Sequence, residues 1–253
     1  MSKNKSLISV CIPTWEYYGH GSWLLENLFS SLETQTNKNF EIVISDQSLD
    51  QKIESFILES NYDLDIKYFK FENGIPYIQN LNNSIDKSNG EIIKPFFQPD
   101  LILSNNMIQD LFDSHSETRC WCALRHNHCN WDATIFHNER IPHYDTNTLV
   151  GVNRISSPTV ISYDSSFKEM FDGKLKMLSD CEFYYRLKGE FGEPRILSNE
   201  CYVTNRESDM EAKYDPKVNE DIPYDINRVV EVYNLKQRTD MNIWMSPFSS
   251  FIK

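Results

Sequence analysis

The sequence predicts an α/β fold, with a doubly wound, mostly parallel sheet flanked by helices in a single domain. Short runs rich in β-branched and aromatic residues alternate with helical stretches of roughly 10–15 residues through the first half of the chain. Several of these runs are continuously apolar, as in strands covered on both faces. Turn signals such as Asn89-Gly90 separate them. Alternating strands and helices of this kind join through right-handed crossovers into a parallel sheet.

Four strands are predicted in the first half, over residues 7–12, 40–45, 66–71 and 92–97. The first is an apolar run closed by Pro13, and the second, FEIVIS, is ended by Asp46. The third shows alternation, and the fourth follows the Asn89-Gly90 turn with a run of apolar residues. Their lengths match buried strands.

Helices are predicted between and after these strands, over residues 22–35, 48–59, 76–87 and 104–113. The first has leucines at helical spacing. Ser48 and Gln51 match a capping box at the start of the second. Pro76 suits the first helical position of the third, and Ser104 is a candidate cap for the fourth.

The second half is less regular. Strands are predicted over 119–125, 159–163, 195–197 and 201–205, and helices over 179–188 and 226–235. Residues 126–157 are polar and irregular, and a loop of this length in a compact domain is either functional or disordered. No repeat or linker is evident, so one domain spanning 1–253 is expected. Its core covers about 7–206, followed by a C-terminal helix and a loosely held tail over 207–253.

The composition restricts the class of protein. A net charge of −12 argues against a nucleic-acid binder, which needs a basic face. No apolar run has the length of a membrane span, and the start of the chain resembles a first strand more than a signal peptide. Six scattered cysteines suit reduced thiols and a cytoplasmic location. Peripheral membrane contact and the oligomeric state stay open.

Polar residues follow the ends of three predicted strands. They are Thr14-Trp15-Glu16, Asp46 and Gln98-Pro99-Asp100. In a doubly wound sheet these ends converge on one ligand-binding crevice. Asp100, between a strand and a helix, is a candidate metal ligand. The alternative, which Pro99-Asp100 taken alone favours, is that these residues form ordinary turns.

A second candidate is Asp180, in the stretch MLSDCEFYYRL. Ser179 and Glu182 match a capping box, which makes Asp180 the first helical residue. The helix dipole there favours an ionised carboxylate, as a general base requires. Glu182 and Arg186 are spaced to pair along the helix. The simpler interpretation is that acidic residues in a first turn only stabilise the helix.

A third candidate is a dense group of cysteine and histidine, namely Cys120, Cys122, His126, His128 and Cys129. This density suggests zinc, but the spacing does not match the paired ligands of common structural sites. Alternation on a strand would place Cys120, Cys122, His126 and His128 on one face, which favours plain packing over zinc.

Together these motifs resemble glycosyltransferase family 2, the nucleotide-sugar-dependent transferases of the GT-A fold. SVCIPTWE resembles the family's opening strand and its Pro-Thr-aromatic-Asn loop. FEIVISDQS resembles its second strand, which ends in Asp-x-Ser. The stretch from NGIPYIQN to QPDLIL resembles the family's Gly…Arg-Asn helix and its metal-binding Asp-x-Asp strand. MLSDCEFYYRL resembles the helix that starts with the catalytic Asp, and EPRILSNECYVTNR the closing strands. The resemblance runs from about residue 7 to residue 206.

The resemblance implies a role for each candidate. Thr14, Trp15 and Glu16 would lie against the nucleoside, and Asp46 would bind the base, usually uracil. Gln79 would lie near the diphosphate. Asp100, next to Gln98, would bind Mn²⁺ or Mg²⁺ between the phosphates. Asp180 would be the catalytic base.

The implied activity is an inverting, metal-assisted transfer of a sugar, with UDP-sugar as the expected donor. The acceptor is a hydroxyl, on a glycan for example, as in polysaccharide biosynthesis. Residues 126–157 would form the acceptor side, with Trp131, Phe136 and Tyr144 available to stack on a sugar.

The chain departs from the family pattern at several positions. Glu16 replaces Asn, Gln79 replaces Arg, Gln98-Pro99 replaces the first acid of the metal motif, and no His follows Arg206. These changes leave open a catalytically silent nucleotide-sugar or glycan binding module on the same fold. The cysteine and histidine group leaves a second alternative open, a zinc-stabilised interaction protein.

Overall fold

The computed structural model describes residues 7–72, 74, 76–206 and 218–234. Among these residues the strands are β1 (Ile8–Thr14), β2 (Phe40–Asp46), β3 (Ile66–Lys70), β4 (Ile92–Pro95), β5 (Leu101–Ile102), β6 (Trp121–Leu124), β7 (His126–Cys129), β8 (Phe136–Arg140), β9 (Ile161–Asp164), β10 (Arg195–Leu197) and β11 (Val203–Arg206). They form one sheet of seven strands and one of four.

The larger sheet has the order β10-β6-β9-β4-β1-β2-β3. β1 pairs in parallel with β2 and β4, β2 with β3, and β6 with β10. Only β9 runs antiparallel to its neighbours, β4 and β6. Every residue of β1 and β2 is buried, as their apolar runs predicted. The predicted mixed α/β fold with a mostly parallel sheet is therefore confirmed.

The helices are α1 (Gly21–Glu33), α2 (Lys52–Glu59), α3 (Tyr77–Asp86), α4 (Met107–His115), α5 (Ser179–Phe191) and α6 (Val218–Val232), with 3-10 turns at Tyr17–Gly19, Thr148–Val150 and Pro158–Val160. Helix α3 begins one residue after Pro76, which is its N-cap rather than its first residue. Helix α6 begins well before the predicted residue 226, and it continues through an internal proline, Pro223. None of the described helices combines the length and apolarity needed to cross a membrane.

The smaller sheet has the order β5-β11-β7-β8. The expectation of an irregular segment over 126–157 was wrong for its first half, because β7 and β8 pair there as an antiparallel hairpin. The hairpin was missed because its sequences, HNHC and FHNER, lack apolar alternation. β8 is mostly exposed, so nothing selects apolar residues on it.

Two predicted helix starts were wrong because local hydrogen bonds compete with capping. Gln51, not Ser48, is the N-cap of α2, since the Ser48 hydroxyl and N–H both donate to Asp46 Oδ1, at 2.5 and 2.9 Å. Asn106, not Ser104, is the N-cap of α4, and its N–H donates to Ser104 Oγ at 3.1 Å.

Helix α5 also starts differently from the prediction. Its N-cap is Leu178, so Asp180 is the second helical residue rather than the first. Glu182 does not complete a capping box, and instead its two oxygens accept hydrogen bonds from the Arg186 guanidinium, both at 2.7 Å. The predicted pairing of Glu182 with Arg186 is thus present.

The start of α5 is held by a carboxylate from α6. Asp225 is fully buried and accepts hydrogen bonds from three successive backbone N–H groups, those of Lys176, Met177 and Leu178, at 2.6 to 3.1 Å. A buried carboxylate with this many donors fixes the path of the backbone. Asp225 therefore positions the first turn of α5. The predicted domain limits stay a prediction, and most of the predicted tail lies outside the described residues.

We expect Asp225→Ala to lower the free energy of unfolding by about 2 kcal/mol, because three backbone donors lose a charged acceptor. Urea denaturation measures the loss. Asp221→Asn is the matched control on the same helix, since Asp221 makes an ion pair with the half-exposed Lys176, and such pairs contribute at most about 1 kcal/mol. Equal losses in the two variants would contradict the positioning role.

Candidate functional site

Asp100 lies where the chain leaves the larger sheet and enters the smaller one, between β4 and β5. It is 4 % exposed. Its Oδ2 accepts hydrogen bonds from the Thr159 hydroxyl and from Asn205 Nδ2, the latter at 3.0 Å. Its Oδ1 accepts one from the Arg206 backbone N–H at 3.0 Å. The carboxylate therefore joins the segment before β9 to the end of β11.

A buried lysine accompanies this carboxylate. Lys94, in β4, is fully buried, and its ammonium donates to the carbonyls of Thr159 and Pro95. Burial lowers the pKa of Lys94 to about 7, and the charge of Asp100 opposes that shift. Burial likewise raises the pKa of Asp100 to about 6, against its hydrogen bonds and Lys94. The two groups stabilise each other's charge in a site with little water.

Asp180 lies in the first turn of α5, where the residue is half-buried. Its Oδ2 accepts a hydrogen bond from Asn153 Nδ2 at 2.7 Å, and its Oδ1 accepts one from the Cys181 N–H at 2.7 Å. Desolvation raises its pKa to about 6, against these hydrogen bonds. A carboxylate with this pKa is ionised at neutral pH yet basic enough to accept a proton.

A chain of hydrogen bonds connects Asp100 to Asp180. Asn205 donates to Asp100 and accepts from the Ser156 hydroxyl at 2.9 Å. Asn153 donates both to the Ser156 carbonyl at 3.0 Å and to Asp180. Ser156 has a φ of 99°, a conformation that a residue with a Cβ rarely adopts. The structure thus brings the two predicted carboxylates into one network, through a strained residue of a kind that clusters at functional sites.

The residues after β1 lie beside this network. The backbone N–H of Trp15 donates to Gln98 Oε1 at 3.1 Å, and Gln98 Nε2 donates to the Gly21 carbonyl at 2.9 Å. Thr14 Oγ1 donates to the Ser45 carbonyl at 3.3 Å. Glu16 is half-buried, and its Oε2 has no hydrogen-bond partner among the described residues. An unpartnered acceptor of this kind suits a ligand hydroxyl.

Asp46, at the end of β2, is fully buried. Its Oδ1 is occupied by Ser48, and its Oδ2 accepts from the Tyr68 hydroxyl at 2.7 Å and the Lys70 ammonium at 3.1 Å. Burial, together with the hydrogen bond to Asp46 and the charge of that carboxylate, raises the pKa of Tyr68. A base bound by Asp46 would have to share or replace these donors.

Gln79, in α3, lies farther along the same edge. It donates to the Gly173 carbonyl at 3.3 Å. The two residues approach so closely that a Cβ on Gly173 would lie 2.6 Å from Gln79 Cγ. Both line an open groove of about 510 Å³ together with residues of α3 and of the segment 170–174. Its neighbour Asn80 donates to the Thr14 carbonyl at 3.1 Å and so ties α3 to the end of β1.

Arg206 is a member of the site that the sequence did not single out. It is 7 % exposed, and its Nε and Nη1 have no hydrogen-bond partner among the described residues. Its guanidinium lies over the rings of Trp23 and Trp131, at 4.7 and 5.6 Å, and Trp131 stacks on Tyr17 at 5.5 Å. Unsatisfied donors at this burial suit an anion. The available signal was an arginine directly at the end of a strand.

The described residues do not fit a divalent ion at Asp100. Both of its oxygens already accept hydrogen bonds from the protein. Gln98, which takes the place of a second acid, uses its amide to hold Trp15 and Gly21. The nearest charges are the cations Lys94 and Arg206. Divalent ions of this type require free carboxylate or carbonyl oxygens, so no step below depends on a metal.

Comparison with known proteins agrees with this architecture. A family model described as Glycosyl transferase family 2 matches residues 9–176. No curated protein matches the chain in sequence. A crystal structure of S. aureus TarS is 20 % identical with a TM-score of 0.60, over 97 % of this chain and 43 % of that one. This chain therefore spans less than half of that protein.

Two further structures contain residues 1–349 of S. aureus TarS with a bound nucleotide. The complex with UDP is 19 % identical with a TM-score of 0.61, over 97 % of this chain and 70 % of that one. The complex with UDP-GlcNAc is 18 % identical with a TM-score of 0.63, over 92 % of this chain and 68 % of that one. At these identities the likeness concerns the fold.

The buried pair predicts non-additive stability. We expect Asp100→Asn to cost about 3 kcal/mol, because it leaves Lys94 as an uncompensated buried charge. In a Lys94→Met background the same substitution should cost at least about 1 kcal/mol less. Urea unfolding of the two single variants and the double variant measures this coupling. Additivity within about 0.5 kcal/mol would show that the charges do not interact.

Proposed function

Because the chain belongs to glycosyl transferase family 2, we propose that it transfers a sugar from a nucleotide-diphosphate donor to an acceptor hydroxyl, with inversion at the anomeric carbon. The observation that carries this proposal is the hydrogen-bonded chain that links Asp180 to Asp100. It lies beside the residues that follow β1 and β4, at the edge where open α/β sheets bind ligands.

The donor is a uridine nucleotide sugar. Support comes from the TarS structures of the same fold, which hold UDP and UDP-GlcNAc. Trp15 and Glu16 contact the nucleoside, and Glu16 Oε2 accepts a hydrogen bond from a ribose hydroxyl. Thr14 is fully buried and supports this segment from the end of β1. Asp46 contacts the base by exchanging one of its present donors for a base N–H.

The diphosphate lies against Arg206 and at the side of the cleft that leads to Gln79. Arg206 has two unsatisfied donor atoms, and a guanidinium binds phosphate oxygens in a bidentate manner. The net charge of −12 repels an anionic donor at long range, so a local cation is required. Arg206 supplies charge that stabilises the leaving diphosphate.

A Mn²⁺ or Mg²⁺ ion on Asp100, which the family resemblance implies, stays a prediction. The hydrogen bonds of Asp100 argue against it, since an ion would have to displace Thr159 or Asn205. In this proposal Asp100 orders the network instead, because its carboxylate orients the Asn205 amide on which the link to Asp180 depends.

Asp180 is the general base. It takes the proton of the acceptor hydroxyl while that oxygen forms its bond to the anomeric carbon and the bond from that carbon to the diphosphate breaks. Asn153 orients the carboxylate by its hydrogen bond to Oδ2. With the base on the face opposite the leaving group, the product has inverted configuration.

The surface beside Arg206 is aromatic. Tyr18 and Trp23 are exposed at 61 % and 38 %, and Trp131 lies against Trp23 with ring centroids 6.1 Å apart. Such faces stack on sugar rings. Phe136 is also exposed, on β8. Tyr144 instead packs against Trp121 and serves as an anchor for its loop.

A cytoplasmic location belongs to the same proposal. All six cysteines are free thiols, which suits a reducing compartment.

Substitution of the base tests the chemistry. Asp180→Asn should lower kcat by about 10³-fold, because a general base contributes roughly 10²–10⁴-fold, while UDP binding stays unchanged. The wild-type kcat/KM should fall as the pH drops through about 6, where Asp180 becomes protonated. Glu190→Gln, an exposed acid near the other end of α5, is the control.

Asp100 also has a pKa of about 6, so its protonation has to be distinguished from that of Asp180. In the Asp100→Asn variant, kcat/KM should still fall as the pH drops through about 6, because Asp180 is unchanged. Unchanged turnover in a folded Asp180→Asn variant would remove Asp180 from the role of base.

A second test concerns the diphosphate. Arg206→Ala should weaken UDP binding by about 10- to 100-fold, since two charge-assisted hydrogen bonds are lost, and Arg206→Lys should recover part of the affinity. Calorimetric titration measures both, with Arg140→Ala on exposed β8 as the control. EDTA should change the wild-type affinity by less than about 3-fold. Binding that requires Mn²⁺ and tolerates Arg206→Ala would contradict this assignment and restore the metal to Asp100.

The alternative of a catalytically silent nucleotide-sugar or glycan binding module has one observation in its favour, the engaged oxygens of Asp46 and Asp100. Titration with a UDP-sugar, followed by an assay of donor hydrolysis and transfer, separates the two functions. Donor binding with slow release of free sugar supports the enzyme. Binding without any donor hydrolysis or transfer supports the silent module.

A further inference from the structure

A compact cluster of metal-ligand side chains lies away from the proposed active site. His115 is the last residue of α4, and Cys120 and Cys122 lie at the start of β6. His115 Nδ1 is 3.6 Å from Cys120 Sγ, and His115 Nε2 is 3.5 Å from Cys122 Sγ. One ligand atom from each residue can be chosen so that all three lie within 4.8 Å of one another.

These separations resemble those of an occupied metal site. With Zn–S of about 2.3 Å and Zn–N of about 2.0–2.1 Å, tetrahedral geometry places sulfur and nitrogen about 3.5 Å apart and two sulfurs about 3.8 Å apart. Each of the two sulfur–nitrogen distances is close to the first value, but they involve different ring nitrogens, Nδ1 for Cys120 and Nε2 for Cys122. Because a single nitrogen binds the ion, the His115 ring has to shift so that one nitrogen approaches both thiols.

The burial of the two thiols is compatible with a bound zinc ion. Cys120 and Cys122 are 6 % and 0 % exposed. When a zinc ion binds, both thiols release their protons to solvent, and two thiolates with one Zn²⁺ leave no net charge to bury. The hydroxyl of Ser162 lies 2.9 Å from His115 Nε2 and is therefore a nearby oxygen for a fourth ligand position. The turn over residues 116–119, beside the cluster, is exposed.

We propose that His115, Cys120 and Cys122 bind a zinc ion, with the Ser162 hydroxyl or a water as the fourth ligand. Two sulfurs and an imidazole suit zinc and exclude Mg²⁺ and Ca²⁺, which take oxygen ligands. This set differs from the one considered in the sequence, because His126, His128 and Cys129 lie on β7 in the smaller sheet. His115 comes from a helix that precedes the cysteine-rich stretch.

The position of the cluster makes the ion structural. β6 is antiparallel to β9, and β9 to β4, so β6 runs in the same direction as β4 and β1. Cys120 immediately precedes β6 and therefore lies at the amino ends of these strands, whereas Asp100 follows their carboxyl ends. A zinc ion there joins α4 to β6 and takes no part in sugar transfer.

Wild-type protein tests the site without any substitution. Untagged protein, expressed with zinc in the medium and passed over a gel-filtration column, should contain about one zinc per chain. After removal of zinc, one equivalent of Co²⁺ should give the intense thiolate-to-cobalt band and the visible bands of tetrahedral cobalt. One equivalent of Zn²⁺ should then remove both. Zinc should also raise Tm by mass action.

Variants assign the ligands. Cys122→Ser and His115→Asn should each lower the zinc content to below about a fifth of an equivalent, while Cys201→Ser, a half-buried cysteine outside the cluster, should keep it. UDP binding should persist in all three. A folded wild-type protein with less than about a tenth of an equivalent of zinc and no thiolate–cobalt band would overturn the proposal. Zinc that remains in Cys122→Ser would overturn it as well.

Discussion

The buried carboxylate of Asp100 is the interaction on which the site depends. The larger sheet ends its central strand, β4, a few residues before it, and the smaller sheet begins with β5 directly after it. Its oxygens hold Thr159 ahead of β9 and the last residues of β11, Asn205 and Arg206. One charged side chain therefore ties segments of the two sheets to each other. The charge of the buried Lys94 stabilises the ionised carboxylate of Asp100 in the interior.

From this junction the geometry extends in two directions. Toward α5, the amides of Asn205 and Asn153 orient Asp180, and Asp225 fixes the turn that presents it. In the other direction, Arg206 lies against Trp23 and Trp131, and its Nε and Nη1 have no hydrogen-bond partner among the described residues. The same anchor thus positions both a base and a cation. A glycosyl transfer needs one group for the incoming hydroxyl and one for the departing diphosphate.

Much of the fold was predictable, because a continuous apolar run such as FEIVIS is stable as a strand only where helices cover both faces of the sheet. The helix starts were less predictable. Ser48 had the right spacing for a cap, but the carboxylate of Asp46 two residues earlier took both of its donors. The hairpin of β7 and β8 could not be predicted, because polar strands such as these show no alternation of apolar and polar residues. For the candidate site, the sequence singled out Asp100 and Asp180 but not the residues that connect them. Asn205 lies 105 residues from its partner Asp100, and no local pattern records such a contact.

The most direct measurement is hydrogen–deuterium exchange with and without UDP, followed by mass spectrometry. If the two carboxylates and Arg206 border one nucleotide cleft, peptides covering residues 14–20, 98–102, 153–157 and 178–182 should exchange more slowly in the complex. The stretch 115–122, at the opposite edge of the sheet, should be unaffected. Protection confined to the groove lined by Glu26, Phe56 and Tyr62, with none at residues 98–102 or 178–182, would contradict a shared cleft.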